Sequence, residues 1–398
     1  MLFAALIAAG AVGAVPAEPG PAPRVAAPDP VALVREVAAD VERLRGLRRK
    51  VNLKVEILDG PLFTRKVREK AQEELKPEVV AEERARWLAF DLAPADADPA
   101  QILLGVLDEQ VAGFYDPHEK KLFVRSDAGT SPDLLRLVLA HEIEHALQDQ
   151  NFGIPDLAKL PDDDVRLARS ALLEGDAMAV MTAYAAERAG RPLDASMAAA
   201  AQALRGAGSA GVAGKEEKLA RAPQVVREEL LFPYVEGFAL VAEAWRRGGF
   251  AQVDKLFARP PQSTHEVLHP AAYFAAEQPM NVKMPAAPAG AKVLARGKLG
   301  ELGSRLVLEA CLDPAVGREF VPAWAGDAFV VYQANGHAEL VWESAWSGET
   351  AQNIANLLRL VEPCWQEQRG VAAQVHIVRK GSLVAVSRGS ADVDTLLK

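Results

Sequence analysis

The chain has 398 residues and a formal net charge of -9, with 50% hydrophobic and 25% charged residues. This length suits two or three domains, and the apolar content is enough to build a core, which excludes a broadly disordered protein. The acidic balance, 54 Asp and Glu against 45 Lys and Arg, argues against a nucleic-acid partner. No apolar run reaches the roughly 20 residues of a membrane span, so we expect no transmembrane segment in the mature chain.

The first 30 residues differ in composition from the rest of the chain. Residues 2–15 are apolar and small, and Val15 and Ala17 suit signal-peptidase cleavage after Ala17, although no Lys or Arg precedes the apolar run. The sequence therefore predicts a signal peptide over residues 1–17 and export to the periplasm or the cell exterior. Residues 18–30 are rich in Pro and Ala and predict an extended linker.

The chain has only two cysteines, Cys311 and Cys364. In an oxidising compartment they could pair and cross-link the C-terminal region. Two separate buried thiols are the alternative, and the sequence leaves both open.

After the linker, hydrophobic spacing and turn residues predict elements in the following order. They are an amphipathic helix over 30–47, a strand over 51–58, two helices over 62–92 broken near Pro77, a short helix from Pro99 to about Gln110, and a hairpin over 111–124. A strong helix follows over 131–150, because Ser131 suits the N-cap and Pro132 the first turn.

The next segment is predicted to be largely helical. The expected elements are a helix from Asp163 to Arg188, a frayed helix with a mobile loop over 195–221, a helix over 222–247 bent or broken by Pro233, and an irregular connection over 259–297.

From about residue 303 the pattern changes to short β-like runs. These runs are SRLVLEA, DAFVVYQA, AELVWES, AAQVHIV and LVAVS, with a helix predicted over 350–362. We therefore expect a separate α+β domain over residues 298–398. It follows a mostly helical domain with a small sheet over residues 31–297, and the fold class of the whole chain is α+β.

The most informative segment of the sequence is His141-Glu142-Ile143-Glu144-His145, an H-E-x-x-H motif inside the predicted helix 131–150. Side chains four residues apart lie on one helix face, so two imidazoles can reach one zinc ion. Glu142 follows the first histidine, and its carboxylate can lie beside a zinc-bound water without being a ligand. It is thus the candidate general base.

A catalytic zinc ion needs a third protein ligand. Position 151 is Asn, so the extended H-E-x-x-H-x-x-G-x-x-H pattern is absent. Glu174 lies within an apolar helical segment, where a buried carboxylate needs a partner, and we favour it as the third ligand. Asp176 and Glu187 are the alternatives, and Asp176 could instead support a ligand histidine.

Together these residues resemble the gluzincin group of zinc metallopeptidases. Five longer strings resemble a largely uncharacterised family of bacterial and archaeal metallopeptidases: GFYDPHEKKLFV, LAHEIEHALQDQNF, ALLEGDAM, FPYVEGFALV and PPQSTHEVLHPAAYF. The resemblance covers about residues 45–390 and implies a zincin-like fold, with the strand 121–125 bordering the cleft beside His141. One position departs from the gluzincin pattern, because Met178 stands where many gluzincins carry Asp.

A peptidase also needs a donor that stabilises the developing oxyanion. The candidates are His265, His269, Tyr234 and Tyr273, and we choose His269. A structural histidine that caps a turn is the alternative reading of His269.

Two functional hypotheses follow from these residues. The first is an exported zinc metallopeptidase acting on a protein or peptide substrate, with zinc on His141, His145 and Glu174 and with Glu142 as base. The second is a non-enzymatic exported binding or assembly protein that keeps a zincin scaffold with structural zinc or none. The presence of Glu142 argues against the second, since a structural site has no use for a general base.

Overall fold

A computed structural model describes residues 30–107, 113–126, 131–213, 217–334, 336–366, 374–389 and 391. The predicted signal peptide, and the linker up to residue 29, lie outside the described residues. Within these ranges, no helix combines the length and the apolarity that crossing a membrane requires.

The N-terminal part of the described chain surrounds a small sheet. It comprises α1 (Pro30–Arg45), β1 (Lys54–Leu58), α2 (Gly60–Glu74), α3 (Pro77–Phe90), α4 (Pro99–Leu107), β2 (Gly113–Asp116) and β3 (Lys121–Arg125). The strand order is β1-β3-β2, with β1 parallel and β2 antiparallel to β3. The predicted hairpin is confirmed, and Asp116 closes its turn by accepting hydrogen bonds from the amides of His118 and Glu119 at 2.7 and 3.0 Å.

Helices dominate the central part of the chain. They are α5 (Pro132–Asn151), α6 (Asp163–Arg188), α7 (Leu193–Ala213), α8 (Glu217–Arg221), α9 (Gln224–Gly248), α10 (Phe250–Ala258), α11 (Thr264–Leu268) and α12 (Pro270–Ala275). The Ser131 hydroxyl caps α5 by accepting from the Leu134 amide at 3.2 Å, as the sequence predicts. Pro233 does not end α9, which continues to Gly248.

Two glycines allow α6 and α9 to cross with their backbones in contact. A Cβ on Gly175 would lie 2.2 Å from the carbonyl oxygen of Gly237, and a Cβ on Gly237 would lie 2.1 Å from that of Ala171. Any larger residue would force the two helices apart. Because Glu174 precedes Gly175, this crossing places the candidate third ligand in the interior.

The C-terminal part of the chain forms a second sheet. It comprises β4 (Lys292–Gly297), α13 (Gly300–Glu309), α14 (Pro314–Phe320), β5 (Trp324–Ala334), β6 (His337–Trp346), α15 (Thr350–Gln366), β7 (Val375–Lys380) and β8 (Leu383–Arg388). The five strands are antiparallel in the order β4-β5-β6-β8-β7. The two sheets and the helices between them confirm the α+β fold class.

Three predicted elements of the second half of the chain are wrong. The run SRLVLEA lies in α13 rather than in a strand, because Leu302 and Leu306 bury one face of a helix and a short apolar run does not distinguish the two structures. The connection 259–297 contains α11, α12 and β4. Within 195–221 the predicted helix is present as α7, but the loop expected after it is wrong at Glu217–Arg221, which forms α8, and residues 214–216 lie outside the described residues.

The two halves of the chain share a hydrophobic core. Phe90 of α3 packs edge-on against Phe329 and Trp342 of the second sheet, with ring centroids 5.2 and 5.6 Å apart. Strand β4 ends at Gly297, next to the predicted domain boundary, and pairs with β5 beyond it. The division at residue 298 stays a prediction.

Cys311, just after α13, and Cys364, in α15, form a disulfide. The structure thus decides between the two alternatives that the sequence left open, and the bond joins the end of α13 to α15.

Candidate metal centre

Helices α5 and α6 bring His141, His145 and Glu174 together in the protein interior. The Nε2 atoms of the two histidines are 3.1 Å apart, and Glu174 Oε2 lies 3.1 Å from His141 Nε2 and 3.4 Å from His145 Nε2. The three side chains are 0, 3 and 1% exposed. The spacing of four residues on α5 and the inward position of Glu174 on α6 produce this convergence.

The distances between these three atoms fit a tetrahedrally coordinated ion. Ligand distances of about 2.0–2.1 Å give a tetrahedron with an edge of about 3.3 Å, which matches the three observed separations. The second carboxylate oxygen of Glu174 is buried and has no hydrogen-bond partner among the described residues. Three lone-pair donors that face one point, one of them on a buried carboxylate, form a group that could hold a metal ion.

Gln148 orients the second histidine of this group. Its amide nitrogen donates to the Leu173 carbonyl at 2.9 Å and to Asp176 Oδ2 at 3.1 Å, so its carbonyl oxygen faces His145 Nδ1 at 3.0 Å. That oxygen can only accept, so Nδ1 carries the proton. His145 Nε2 therefore presents its lone pair to the centre of the group, which is the orientation that a metal ligand needs.

A buried arginine lies behind Gln148. Arg45, at the end of α1, donates from Nε to Asp176 Oδ1 at 3.0 Å and from Nη1 to Asp254 at 2.7 Å, and its Nε lies 3.4 Å from Glu144. Burial and the neighbouring Asp176 raise the pKa of Glu144 well above its usual range. Asp176 accepts hydrogen bonds from Gln148 and Arg45. It therefore supports the site through Gln148 and is not one of the three converging residues.

Glu142 lies beside the group, and the hairpin holds it in place. The Tyr115 backbone amide in β2 donates to Glu142 Oε2 at 2.8 Å, whereas Glu142 Oε1 is buried and no group in the described part of the chain forms a hydrogen bond with it. Tyr115 itself is anchored to α5, because its hydroxyl donates to Asp149 at 2.7 Å. The resemblance placed strand 121–125 at the cleft, but this strand is central in the sheet, and β2 at the edge makes the contact to Glu142.

The protonation equilibria of the group reflect the close approach of its charges. Burial raises the pKa of Glu142, although the imidazoles of His141 and His145 oppose this effect. Burial would also raise the pKa of Glu174, but the two imidazoles hold it well below its usual range. Burial acts to lower the pKa of His145, and Glu174 outweighs it and raises that pKa to about 9. The centre of the group therefore attracts positive charge.

Of the four candidates for the oxyanion donor, Tyr234 lies at this group. Its ring stacks on His141 with centroids 6.2 Å apart. Burial and the nearby carboxylates of Glu174 and Glu142 hold the pKa of its hydroxyl well above the usual range. The sequence offered Tyr234 as a candidate but gave no signal that selected it.

The other three candidate donors, His265, His269 and Tyr273, form hydrogen bonds with residues outside the buried group. His265 Nδ1 and His269 Nε2 both face Glu301, at 2.6 and 2.9 Å from its Oε2. The Tyr273 hydroxyl donates to the Arg259 carbonyl at 2.5 Å. The alternative ligand Glu187 is at the surface, where it accepts from Arg43 at 2.7 and 2.6 Å.

His265 and His269 belong to a second H-E-x-x-H stretch, whose glutamate is Glu266. The backbone amide of Gln262 donates to Glu266 Oε2 at 2.6 Å, and the backbone amide of Glu266 donates to the Ser263 hydroxyl at 3.2 Å. This carboxylate therefore serves the start of α11 as a cap.

Comparisons of the chain with models of protein families, with curated proteins and with solved structures found no match. The convergence of His141, His145 and Glu174 in the interior is consistent with a zincin-like centre. Met178, the position at which the sequence departs from the gluzincin pattern, is apolar and buried, and Gln148 is the side chain that supports His145.

Proposed function

We propose that the protein is a zinc-dependent peptidase in which His141, His145 and Glu174 hold the metal ion. The observation that carries the proposal is the tetrahedral spacing of their ligand atoms next to a glutamate with one unpartnered oxygen. Two imidazoles and one carboxylate form the donor set that zinc accepts in hydrolytic enzymes, and three protein ligands leave a coordination position for substrate or water.

When bound, zinc would supply a Lewis acid that polarises the scissile carbonyl and increases the acidity of water. Glu142 would accept a proton at Oε1 and later return it to the departing amine. The Tyr115 amide holds Oε2 and so fixes the direction of the other oxygen. Tyr234 is the oxyanion donor that we propose, because its hydroxyl is buried close to the carboxylates of Glu174 and Glu142. His269, the donor chosen from the sequence, has its Nε2 on Glu301 instead, so that choice stays a sequence prediction on which this proposal does not depend.

We further propose that the protein is exported and acts on proteins or peptides outside the cytoplasm. The disulfide between Cys311 and Cys364 is compatible with an oxidising compartment. The apolar residues 2–15 and the small residues at the predicted cleavage position support the same location.

The experiment that tests the proposal compares Glu142→Gln with Glu266→Gln in the zinc-loaded full chain. Peptide products from denatured casein are quantified by mass spectrometry, and zinc per chain is measured in parallel. We expect Glu142→Gln to keep its zinc and to lose about 10²- to 10⁴-fold in kcat/KM, because the group that moves the proton is gone.

Glu266→Gln changes the glutamate of the other H-E-x-x-H stretch and serves as the matched control. It should retain hydrolysis within about twofold while losing about 1 kcal/mol of stability from the weakened cap. Hydrolysis that persists unchanged in Glu142→Gln would remove the proposed base.

The burial of the group also favours a second candidate function. All three candidate ligand side chains are at most 3% exposed, so a substrate has little access to them, as expected of a metal ion that only stabilises the fold. On this alternative the protein is an exported binding or assembly protein. Cobalt substitution distinguishes the two, since a hydroxamate inhibitor changes the cobalt spectrum only if a coordination position is open to a ligand.

A further inference from the structure

A second group of metal-ligating side chains lies outside the proposed active site. His265 Nδ1 is 2.6 Å from Glu301 Oε2, and His269 Nε2 is 2.9 and 3.0 Å from the two oxygens of Glu301. The ligand atoms of these three residues all lie within 4.8 Å of one another. Their side chains are 19, 34 and 6% exposed, so water reaches the two imidazoles while the carboxylate is almost covered.

Buried hydrogen bonds fix the backbone that carries this group. Thr264, next to His265, donates its hydroxyl to Asp164 at 2.6 Å and accepts from the Leu302 amide at 3.2 Å. Leu302 follows Glu301, so this bond ties α11 directly to α13. A Cβ on Gly300 would lie 1.9 Å from Asp164 Oδ1, and the positive φ of Gly300, 68°, also favours glycine there.

Among the residues that the structure describes, no lysine or arginine forms an ion pair with Glu301. Arg205, Arg305 and Glu301 line the same cavity of about 260 Å³. Arg318 also lines this cavity. However, Arg205 pairs with Glu236 at 3.0 Å, Arg305 with Glu228 at 2.7 Å and Arg318 with Glu309 at 3.5 Å. Within the described chain, the hydrogen-bond and ion-pair partners of the Glu301 carboxylate are His265 and His269. A nearly buried carboxylate between two imidazoles is a site for added positive charge.

We propose that His265, His269 and Glu301 form a second metal site, which takes a divalent cation of the zinc type. Two imidazoles and one carboxylate favour Zn²⁺, Co²⁺ or Ni²⁺ over Ca²⁺ and Mg²⁺, which prefer oxygen ligands. The separations between the imidazole nitrogens and the Glu301 oxygens, 2.6 to 3.0 Å, are about 0.3–0.7 Å below the tetrahedral edge of about 3.3 Å, and rotations of the two part-exposed imidazoles would lengthen them. The ion would fasten α11 to α13.

This second site is a binding site and not a second hydrolytic centre. Glu266, the glutamate after the first histidine of this site, accepts a hydrogen bond from the backbone amide of Gln262 and caps the start of α11. The inference is independent of the proposed peptidase activity, because none of its three ligands belongs to the buried group.

The test is a zinc titration of the full chain, with bound zinc measured by mass spectrometry after removal of excess metal. We expect wild type to bind two zinc ions. His269→Ala and Glu301→Gln should each bind one, with the second binding step weakened at least about 100-fold, since loss of a ligand costs more than loss of a residue that orients one.

Two further variants separate this proposal from the peptidase proposal. Glu174→Ala removes a ligand of the buried group and should still bind zinc at His265, His269 and Glu301. His376→Ala changes an exposed histidine on β7 and should behave as wild type. A stoichiometry of two that survives both His269→Ala and Glu301→Gln would overturn the second site, and so would a wild type that binds one zinc ion lost only in Glu174→Ala.

A measurement on wild type removes any dependence on the folding of variants. Diethyl pyrocarbonate labels accessible histidine nitrogens, and peptide mass spectrometry gives the labelling rate of each residue. With zinc about tenfold above the Kd, the ligand-free fraction is about one tenth, so labelling of His269 should fall about tenfold. His376 should be labelled at the same rate throughout, and an unchanged rate at His269 would contradict the proposal.

Discussion

Two histidine–glutamate groups in this molecule share a sequence pattern and differ in what surrounds it. Both use an H-E-x-x-H stretch and a glutamate from a later helix, namely Glu174 in one group and Glu301 in the other. The first stretch lies in a helix of 20 residues and the second in a helix of five residues and its cap. The pattern brings two imidazoles together in both places, so the pattern alone does not define a catalytic centre.

The glutamate after the first histidine shows the difference most clearly. Glu142 has one oxygen held by the Tyr115 amide and one without a partner, so it is available for proton transfer. Glu266 has both its backbone and its carboxylate engaged in capping α11. The environment of one carboxylate therefore separates a candidate base from a structural residue.

Gly175→Ala is the substitution that should separate the two groups most strongly. The new Cβ would overlap the Gly237 carbonyl, so α6 and α9 must move apart, and we expect a loss of about 3 kcal/mol or more in the free energy of unfolding. Because Glu174 is the preceding residue, zinc binding at the buried group should also weaken. Chemical denaturation and a zinc titration measure the two effects.

Gly206→Ala is the control for this substitution. Gly206 lies within α7 with no atom near its Cβ position, so alanine should leave stability unchanged or raise it by about 0.4–1 kcal/mol. If Gly175→Ala were as stable as Gly206→Ala, the close crossing of α6 and α9 would not be needed to place Glu174.

Gln148→Ala should have a smaller effect, confined to the buried group. Without the Gln148 carbonyl, His145 is no longer held in the tautomer and orientation that a metal ligand needs. Loss of such a supporting contact typically weakens metal binding about 10- to 100-fold. The zinc Kd of the buried group, measured in the His269→Ala background, reports the change.

Gln150→Ala provides the comparison on the same helix. Gln150 accepts hydrogen bonds from the backbone amides of Lys50 and Val51 and makes no contact with the ligands in the described structure. Its removal should leave the zinc Kd unchanged. Equal effects of the two substitutions would mean that Gln148 does not orient His145.

Local rules predicted the elements that carry the buried group. Ser131 and Pro132 marked the start of α5, and the helix from Asp163 to Arg188 has the predicted bounds. The spacing of His141 and His145 placed them on one face, and the isolated Glu174 in an apolar segment indicated a buried partner. These signals are contained within single helices, so the sequence was enough.

Features that depend on packing between elements were less accessible to the sequence. Gln148 lies three residues after His145, but its role depends on Asp176 in another helix. The run SRLVLEA has three adjacent apolar residues, which fit a strand as well as a helix, and only its packing shows that it belongs to α13. The second H-E-x-x-H stretch was missed in the sequence, where His265 and His269 were only candidate oxyanion donors, because its role depends on the contacts of Glu301 and Glu266.

Zinc content per chain, compared between Glu174→Ala and Glu187→Ala, tests the central claim most directly. Both glutamates lie on α6, but one faces His141 and His145, and the other pairs with Arg43 at the surface. We predict that Glu174→Ala holds one zinc ion fewer than wild type and that Glu187→Ala holds as many as wild type. If folded Glu174→Ala retained the full zinc content of wild type, the buried group would not be the metal centre.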